Sequence, residues 1–452
     1  SMNPEVILRI LFGIIGFGFM VFVHELGHFI AAKRVGIGVE TFSLGWGRKI
    51  VGFDYKGTNY RISMLPFGGY CKLKGEDPYS AQEQRADGTF FAAPPWKRIV
   101  TSVAGPLANV LFAILVLTLI WWIGFDVPTD GNRIILASDY SVDSFSDSTP
   151  AARAGLQTGD RIVAVDDRPV NHFQDLLESV ATAPNQEIVL TIERQGRRLQ
   201  TTLTPELDRD TGAGRIGVYA WRDPIVDEVT PGAAASLVGL ERGDLIVSAG
   251  GAPIRHTMDL YQQLQDRPEI LPIRFQRNGA QSSATLVLDY NEEGFADLGL
   301  AFAVGIYPSQ RVGLIGAIGK GAGESWQILT TTLKSFGLLF KGINLRKAVA
   351  GPIRIIDYVG SVATGGLRFG ISYSIASFFR FLCWLSIMLF FVNLLPIPGL
   401  DGGQILVFSV EALRRKPMDP RVVTRIQMIG FSFIVLLAVV VTFNDILFYI
   451  GR

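Results

Sequence analysis

His24-Glu25-Leu26-Gly27-His28 lies inside an apolar stretch running from about Val6 to Ala32, and these five residues decide how the chain is read. Residues four apart share one face of a helix, so both imidazoles can point at a single metal ion. Glu25 sits beside them, where a carboxylate can take a proton from water activated by zinc. The pattern alone recurs by chance in helical sequences, but its setting changes its meaning. Each ionisable group in a bilayer costs roughly 2.5–3.5 kcal/mol on insertion scales, so three together in one span imply a function.

Composition agrees with a mixed membrane protein. The chain has 452 residues, 48% of them hydrophobic, and a mean hydropathy of +0.31. That is too apolar for an average soluble enzyme and too polar for a chain that is membrane throughout. A net charge of +1 gives no reason to invoke nucleic acid as a partner. Cys71 and Cys383 make no metal-type spacing and do not suggest a disulfide framework. The first apolar segment has no small-residue cleavage site before its charged flank and reads as a retained span.

Four stretches reach the ~20 residues that a bilayer crossing needs. They run from about Val6 to Ala32, Ile99 to Phe125, Ser374 to Pro398 and Gln427 to Ile450. Between the first two, Lys33 to Arg98 holds 11 Lys and Arg against 6 Asp and Glu, and the last short loop adds Arg414, Arg415, Lys416, Arg421 and Arg425. Positive loops stay in the cytoplasm, which assigns both short loops inside and the large middle region and both termini outside. His24 and His28 then lie toward the inner end of their span, nearer the cytoplasmic face.

Of the four histidines, His172 and His256 fall in the middle region, on the opposite side of the membrane from His24 and His28. A third ligand is therefore sought among carboxylates. The third span ends Asn393-Leu394-Leu395-Pro396-Ile397-Pro398-Gly399-Leu400-Asp401-Gly402-Gly403. Pro396 and Pro398 must interrupt the helix, and such broken backbone is tolerated at membrane depth where it lines a protein cavity. Asp401 is on the same side as the histidine pair, and a His-His-Asp set leaves the fourth tetrahedral position open for water. The plain alternative is a turn leaving the membrane, with Asp401 capping the next helix.

With these residues in view, the chain resembles the site-2 protease family of intramembrane zinc metalloproteases, most strongly its bacterial RseP-type branch (regulator of sigma-E protease) with tandem PDZ domains. The matching segments are His24 to His28, Ala104-Gly105-Pro106-Leu107-Ala108-Asn109, and Asn393 to Gly403. The resemblance implies that His24, His28 and Asp401 bind one Zn2+ and that Glu25 is the general base. It implies substrate contacts from Asn393, Gly45, Gly47, Pro396 and Asn109. It further implies a membrane-reentrant β-hairpin loop, whose glycine-containing strand is matched by Ser43-Leu44-Gly45-Trp46-Gly47-Arg48. The residues themselves read there as short strands, 39–43, 60–65 and 70–73, and a free edge beside the zinc can pair with an unwound substrate.

The middle region repeats. Gly155-Leu156-Gln157-Thr158-Gly159-Asp160-Arg161-Ile162-Val163 returns as Gly239-Leu240-Glu241-Arg242-Gly243-Asp244-Leu245-Ile246-Val247, and His172 returns in register as His256. The repeat resembles two circularly permuted PDZ domains, and both histidines read as packing residues. Such modules can bind substrate C-termini or act as a size filter for bulky ectodomains. From about Gln310 to Lys341 the chain reads as an interfacial amphipathic helix.

The expected architecture is a multi-span α-helical membrane protein with four transmembrane helices, a re-entrant β-hairpin loop, and two α+β PDZ domains between spans two and three. Its parts are the first transmembrane helix 1–34, a cytoplasmic hairpin loop 35–98 and the second helix 99–125. PDZ domains 126–222 and 223–306 and an interfacial and juxtamembrane segment 307–373 follow, then the third helix 374–403, a cytoplasmic loop 404–426 and the fourth helix 427–452. The expected function is endoproteolysis in or near the membrane segments of single-span proteins, such as an anti-sigma factor or a remnant signal peptide. This is regulated intramembrane proteolysis of the stress-response type, in a bacterial inner membrane with the PDZ pair periplasmic. A catalytically silent PDZ scaffold is the alternative, and the intact Glu25 speaks against it. A metal transporter would need more polar residues along the spans.

Overall fold

A computed structural model describes residues 4–76, 86–140, 149–208, 212–291, 296–309, 312–339, 351–416 and 418–450. The chain divides into two compact units, 1–126 with 308–452, and 127–307.

The first unit is built from apolar helices. Among the described residues, four helices are long and apolar enough to cross a membrane, over Val6–Val35, Pro95–Ile123, Ile371–Leu394 and Arg421–Ile446. Helix α1 spans Pro4–Val35 and carries Lys33 and Arg34 in its last turn, where cations suit the negative end of the helix dipole. The hairpin β1 (Val39–Tyr55) and β2 (Thr58–Leu73) follows. Helix α2 (Pro95–Ile123) starts with a proline in its first turn, where no hydrogen-bond donor is missed. After the second unit come α3 (Leu314–Leu339), α4 (Pro352–Gly365), α5 (Ile371–Leu394), α6 (Asp401–Arg414) and α7 (Pro420–Ile450).

Three expectations change here. The three short strands are parts of two long ones, and β1 has neighbours on both sides: Phe42 pairs with Tyr60 and with Cys71, Leu44 with Ile62 and with Gly69. β1 is thus flanked on both sides at Ser43 and Leu44, and residues 69–73 of β2 lie outside it. Second, the third span ends as helix at Leu394, and the expected loop 404–426 is largely helical, in α6 and in the start of α7. Proline removes a donor and clashes with the preceding turn, so Pro396 and Pro398 stop α5. Beyond them a separate helix forms, which buries Gly402, Gly403, Phe408 and Glu411. Third, the expected amphipathic helix, α3, has a partner that its own segment does not announce: it packs along α2, with Ile328 and Leu329 against a core of Ala113, Leu117, Cys383 and Ile387. Gln310 and residues 340–341 of the expected interfacial helix lie outside the described residues.

The second unit holds two sheets of identical order. One runs Arg168–Pro169, Arg161–Val165, Ile188–Arg194, Arg197–Leu203, and the other Ala252–Pro253, Leu245–Ala249, Ile270–Arg277, Ala280–Val287. Each half has its own apolar core, centred on Ile162, Leu176 and Leu190 and on Ile246, Leu260 and Ile273. In each half an early strand pairs with a late one, Ile134–Leu136 with Val218–Ala220 and Val226–Val229 with Leu300–Phe302. His172 and His256 are helix N-caps, their Nδ1 atoms accepting from the backbone N–H of Asp175 and Asp259.

The repeated Gly-Asp has a mechanical explanation. Asp160 accepts two bonds from Arg194, each of 2.7 Å, and one from the Gln157 N–H. Asp244 accepts the same three from Arg277 and Glu241. Arg277 thereby holds the Asp244 carboxyl below the usual carboxylate range. A carboxyl with a lower pKa folded than unfolded contributes stability above the unfolded value, and loses it as pH falls through the folded one. Asp244→Asn is therefore expected to lower the melting temperature at neutral pH and to flatten the acid loss of stability below about pH 4. An unchanged acid limb in a melting series against pH would show that this ion pair is not what the repeat preserves.

Candidate metal centre

The centre is assembled from three helices. His24 and His28 come from adjacent turns of α1, and their Nε2 atoms lie 3.1 Å apart. Asp401 opens α6, where an acidic residue suits the positive end of the helix dipole. Its Oδ2 is 3.1 Å from His24 Nε2 and its Oδ1 is 3.4 Å from His28 Nε2. The plain alternative does not form, because Leu400 takes the N-cap position, no side chain caps the helix, and the Asp401 oxygens face the histidines instead. These three are the one group of potential ligands close enough to share a metal among the described residues, with their ligand atoms within 4.8 Å of one another.

The donor set fits zinc. A tetrahedral ion with bonds of about 2.0–2.1 Å separates its ligand atoms by roughly 3.3–3.4 Å, close to the spacings here. Asp401 Oδ2 is buried without a hydrogen-bond partner, a cost that a bound cation removes. The histidines are held from behind. His28 Nδ1–H donates to the Thr101 carbonyl at 2.8 Å, which leaves Nε2 with its lone pair facing Asp401. His24 Nδ1 is 3.2 Å from the Asn109 amide, whose Oδ1 is otherwise buried and unpaired. Turning that amide over lets Oδ1 accept from Nδ1–H, which satisfies the orphan oxygen and frees His24 Nε2 as well.

Close approach of α2 to α1 makes this possible. A Cβ added to Gly105 would lie 2.2 Å from His28 Nε2, and one added to Gly27 would lie 2.3 Å from the Ala104 carbonyl. The Ala104-Gly105 pair is thus the seat for the histidine ring.

Glu25 faces the same cavity, of about 270 Å³, and its Oε2 accepts from the Cys71 backbone N–H at 3.0 Å. Cys71 belongs to the outer stretch of β2, so the hairpin reaches Glu25. Asn393, in the last turn of α5, lines the cavity with its amide 3.5 Å from His24 Nδ1. Asn109 is fully buried behind His24 and lies outside the cavity lining, as do Gly45, Gly47 and Pro396. Gly45 and Gly47 take φ of +86° and +88° in β1, so their visible role is to bend that strand. The Thr101 carbonyl and the Cys71 N–H are not foreseen from the residue pattern, because backbone groups carry no side-chain signature.

Apolar membrane-length helices around a buried His-His-Asp set with an adjacent glutamate define an intramembrane zinc metalloendopeptidase. The comparisons agree. The model of peptidase family M50 matches residues 12–437. A Treponema pallidum (strain Nichols) protein named as a zinc metalloprotease is 35% identical over 449 residues, covering 98% of this chain and 99% of its own. The regulator of sigma-E protease RseP of Salmonella typhimurium (strain 14028s) is 29% identical over 455 residues, 96% of this chain and 97% of its own. A solved PDZ domain of an SdrC-like protein from Listeria monocytogenes covers 19% of this chain and 90% of its own at 16% identity, with a TM-score of 0.17, too low to establish a fold. This chain belongs to peptidase family M50, the site-2 protease family.

Gly105→Ala is expected to drive a methyl into the His28 ring and weaken zinc binding roughly 10–100-fold, as loss of a ligand's support does. Zinc affinity by chelator competition checks this, and an unchanged value would mean that α2 does not seat the histidine.

Proposed function

We propose that this metalloendopeptidase cuts peptide bonds in or near the membrane segments of single-span proteins, with His24, His28 and Asp401 holding one zinc ion and Glu25 as general base. The observation that carries the reading is the convergence of those four side chains on one cavity within apolar helices. Zinc, when bound, supplies Lewis acidity that activates water and polarises the scissile carbonyl. Glu25 accepts the proton of the attacking water and returns it to the leaving amine, so that one water is consumed and an acid and an amine are released. The Cys71 N–H steadies the Glu25 carboxylate for that exchange. Asn393 is placed to donate to the substrate carbonyl, and Asn109 orients His24 from behind.

A membrane substrate must first unwind, because a helix hides its peptide bonds. The outer stretch Gly69–Leu73 of β2, whose Cys71 and Leu73 line the cavity, is the edge best placed to receive it in extended form. The two halves of the second unit are read as permuted PDZ modules, 126–222 and 223–306, supported by their repeated sequence, sheet order and separate cores. The charge bias of the short loops supports a reading in which they lie outside a bacterial inner membrane, with the metal centre nearer the cytoplasmic face. The relative named as a regulator of sigma-E protease supports anti-sigma-factor-type substrates.

Glu25→Gln is expected to leave zinc bound and to lower cleavage of a single-span substrate in detergent by roughly 10²–10⁴-fold, the range for a positioned base. Turnover near the parent rate would remove Glu25 from the reaction and favour the silent-scaffold reading.

A further inference from the structure

Helix α6 carries Asp401 but does not inherit its position from α5, because the break at Leu395–Leu400 separates the two. What it does touch is α2. Asp401, Gln404, Phe408 and Glu411 recur at spacings of three, four and three, which puts them on one face of α6. The face of α2 that meets it carries Arg98, Thr101 and Ser102. Gln404 Oε1 accepts from Ser102 Oγ at 3.0 Å. Two turns further on, the Arg98 guanidinium meets the Glu411 carboxylate in a two-pronged pair, with Nη1 donating to Oε2 at 3.1 Å and Nη2 donating to Oε1. Nε is used as well, donating to the Ala93 carbonyl at 3.0 Å, and the cation lies 4.6 Å from the Phe408 ring centre. Both charged side chains are almost wholly buried, at 4% and 5% exposure.

A buried ion pair is a poor source of stability, since desolvation offsets most of its attraction, but its fork geometry admits one register. That is what α6 lacks. Thr101, one turn along α2 from Arg98, fixes His28 by its carbonyl, so one helix holds the histidine and the grip on Asp401's helix. We propose that Arg98 and Glu411 are positioning residues, which set the roll and axial register of α6 on α2 and so bring Asp401 onto the two histidines. The inference rests on the ligand role proposed for Asp401.

The test uses the full-length, zinc-loaded protein with chelator competition, melting temperature and kinetics read together. Arg98→Lys keeps the charge but loses the fork, and is expected to weaken zinc binding roughly tenfold or more, the effect of losing a ligand's outer support. Arg98→Met with Glu411→Leu replaces the pair by apolar side chains, which folds can accept without loss of stability. This double variant is expected to melt near the parent temperature, bind zinc equally weakly and lose kcat with KM little changed. Leu117→Ala, in the α2 core away from α6, is the control that lowers melting temperature without touching zinc affinity. Zinc affinity unchanged in both pair variants, or falling in Leu117→Ala by as much as in them, would overturn the positioning role. Asp401→Ala separates the two readings: if it keeps parental zinc affinity, the ligand assignment falls and this inference with it. If it loses zinc while the pair variants do not, only the pair's role is rejected.

Discussion

Two imidazoles and a carboxylate are held in contact where α1 meets the start of α6, among largely apolar helices. Any one of them alone would be expensive there, and the nitrogens at 3.1 Å would crowd each other without a cation to share. A metal converts that liability into a bound site, and much of the first unit can be understood as what is needed to bring the three groups together. Gly27 and Gly105 let α1 and α2 touch. Thr101 and Asn109 hold the imidazoles from behind. Pro396 and Pro398 end α5 so that a second helix can begin with Asp401 at the height of the histidines.

The break after α5 has a cost and a use. It frees α6 from α5, so Asp401 needs a separate anchor, and the polar contacts of Ser102 with Gln404 and of Arg98 with Glu411 supply it. It also leaves Asn393, in the last turn of α5, facing the same cavity as Asp401. A continuous helix would place these residues eight positions apart along one rod. The interruption folds them around one space, beside a sheet edge that reaches Glu25 through the Cys71 N–H.

Much of this was legible because it is written in short-range spacing. Two histidines four apart and a base next to the first need only helical periodicity. The proline pair before Asp401 announces its own break, and the repeated Gly-Asp announces two like halves. What stayed hidden depends on long-range contact. Arg98 and Glu411 lie 313 residues apart, and each alone looks like a charge at the rim of a span. The folding of β1 between two stretches of β2 could not be read from strand propensity, which carries no register. Asn109 reads as a polar residue in a span, and only its burial against His24 separates a supporting role from a substrate contact. Helix α6 was hidden by its arginines, which mark the side of the membrane but not the local structure.

X-ray absorption at the zinc edge of the purified protein tests the central claim most directly. Cys71 lines the same cavity and is the rival donor. The account predicts about one zinc per chain in an all nitrogen–oxygen shell at about 2.0–2.1 Å, with the multiple scattering of two imidazoles and no sulfur. A sulfur at about 2.3 Å, or a shell with fewer than two imidazoles, would contradict a centre made by His24, His28 and Asp401.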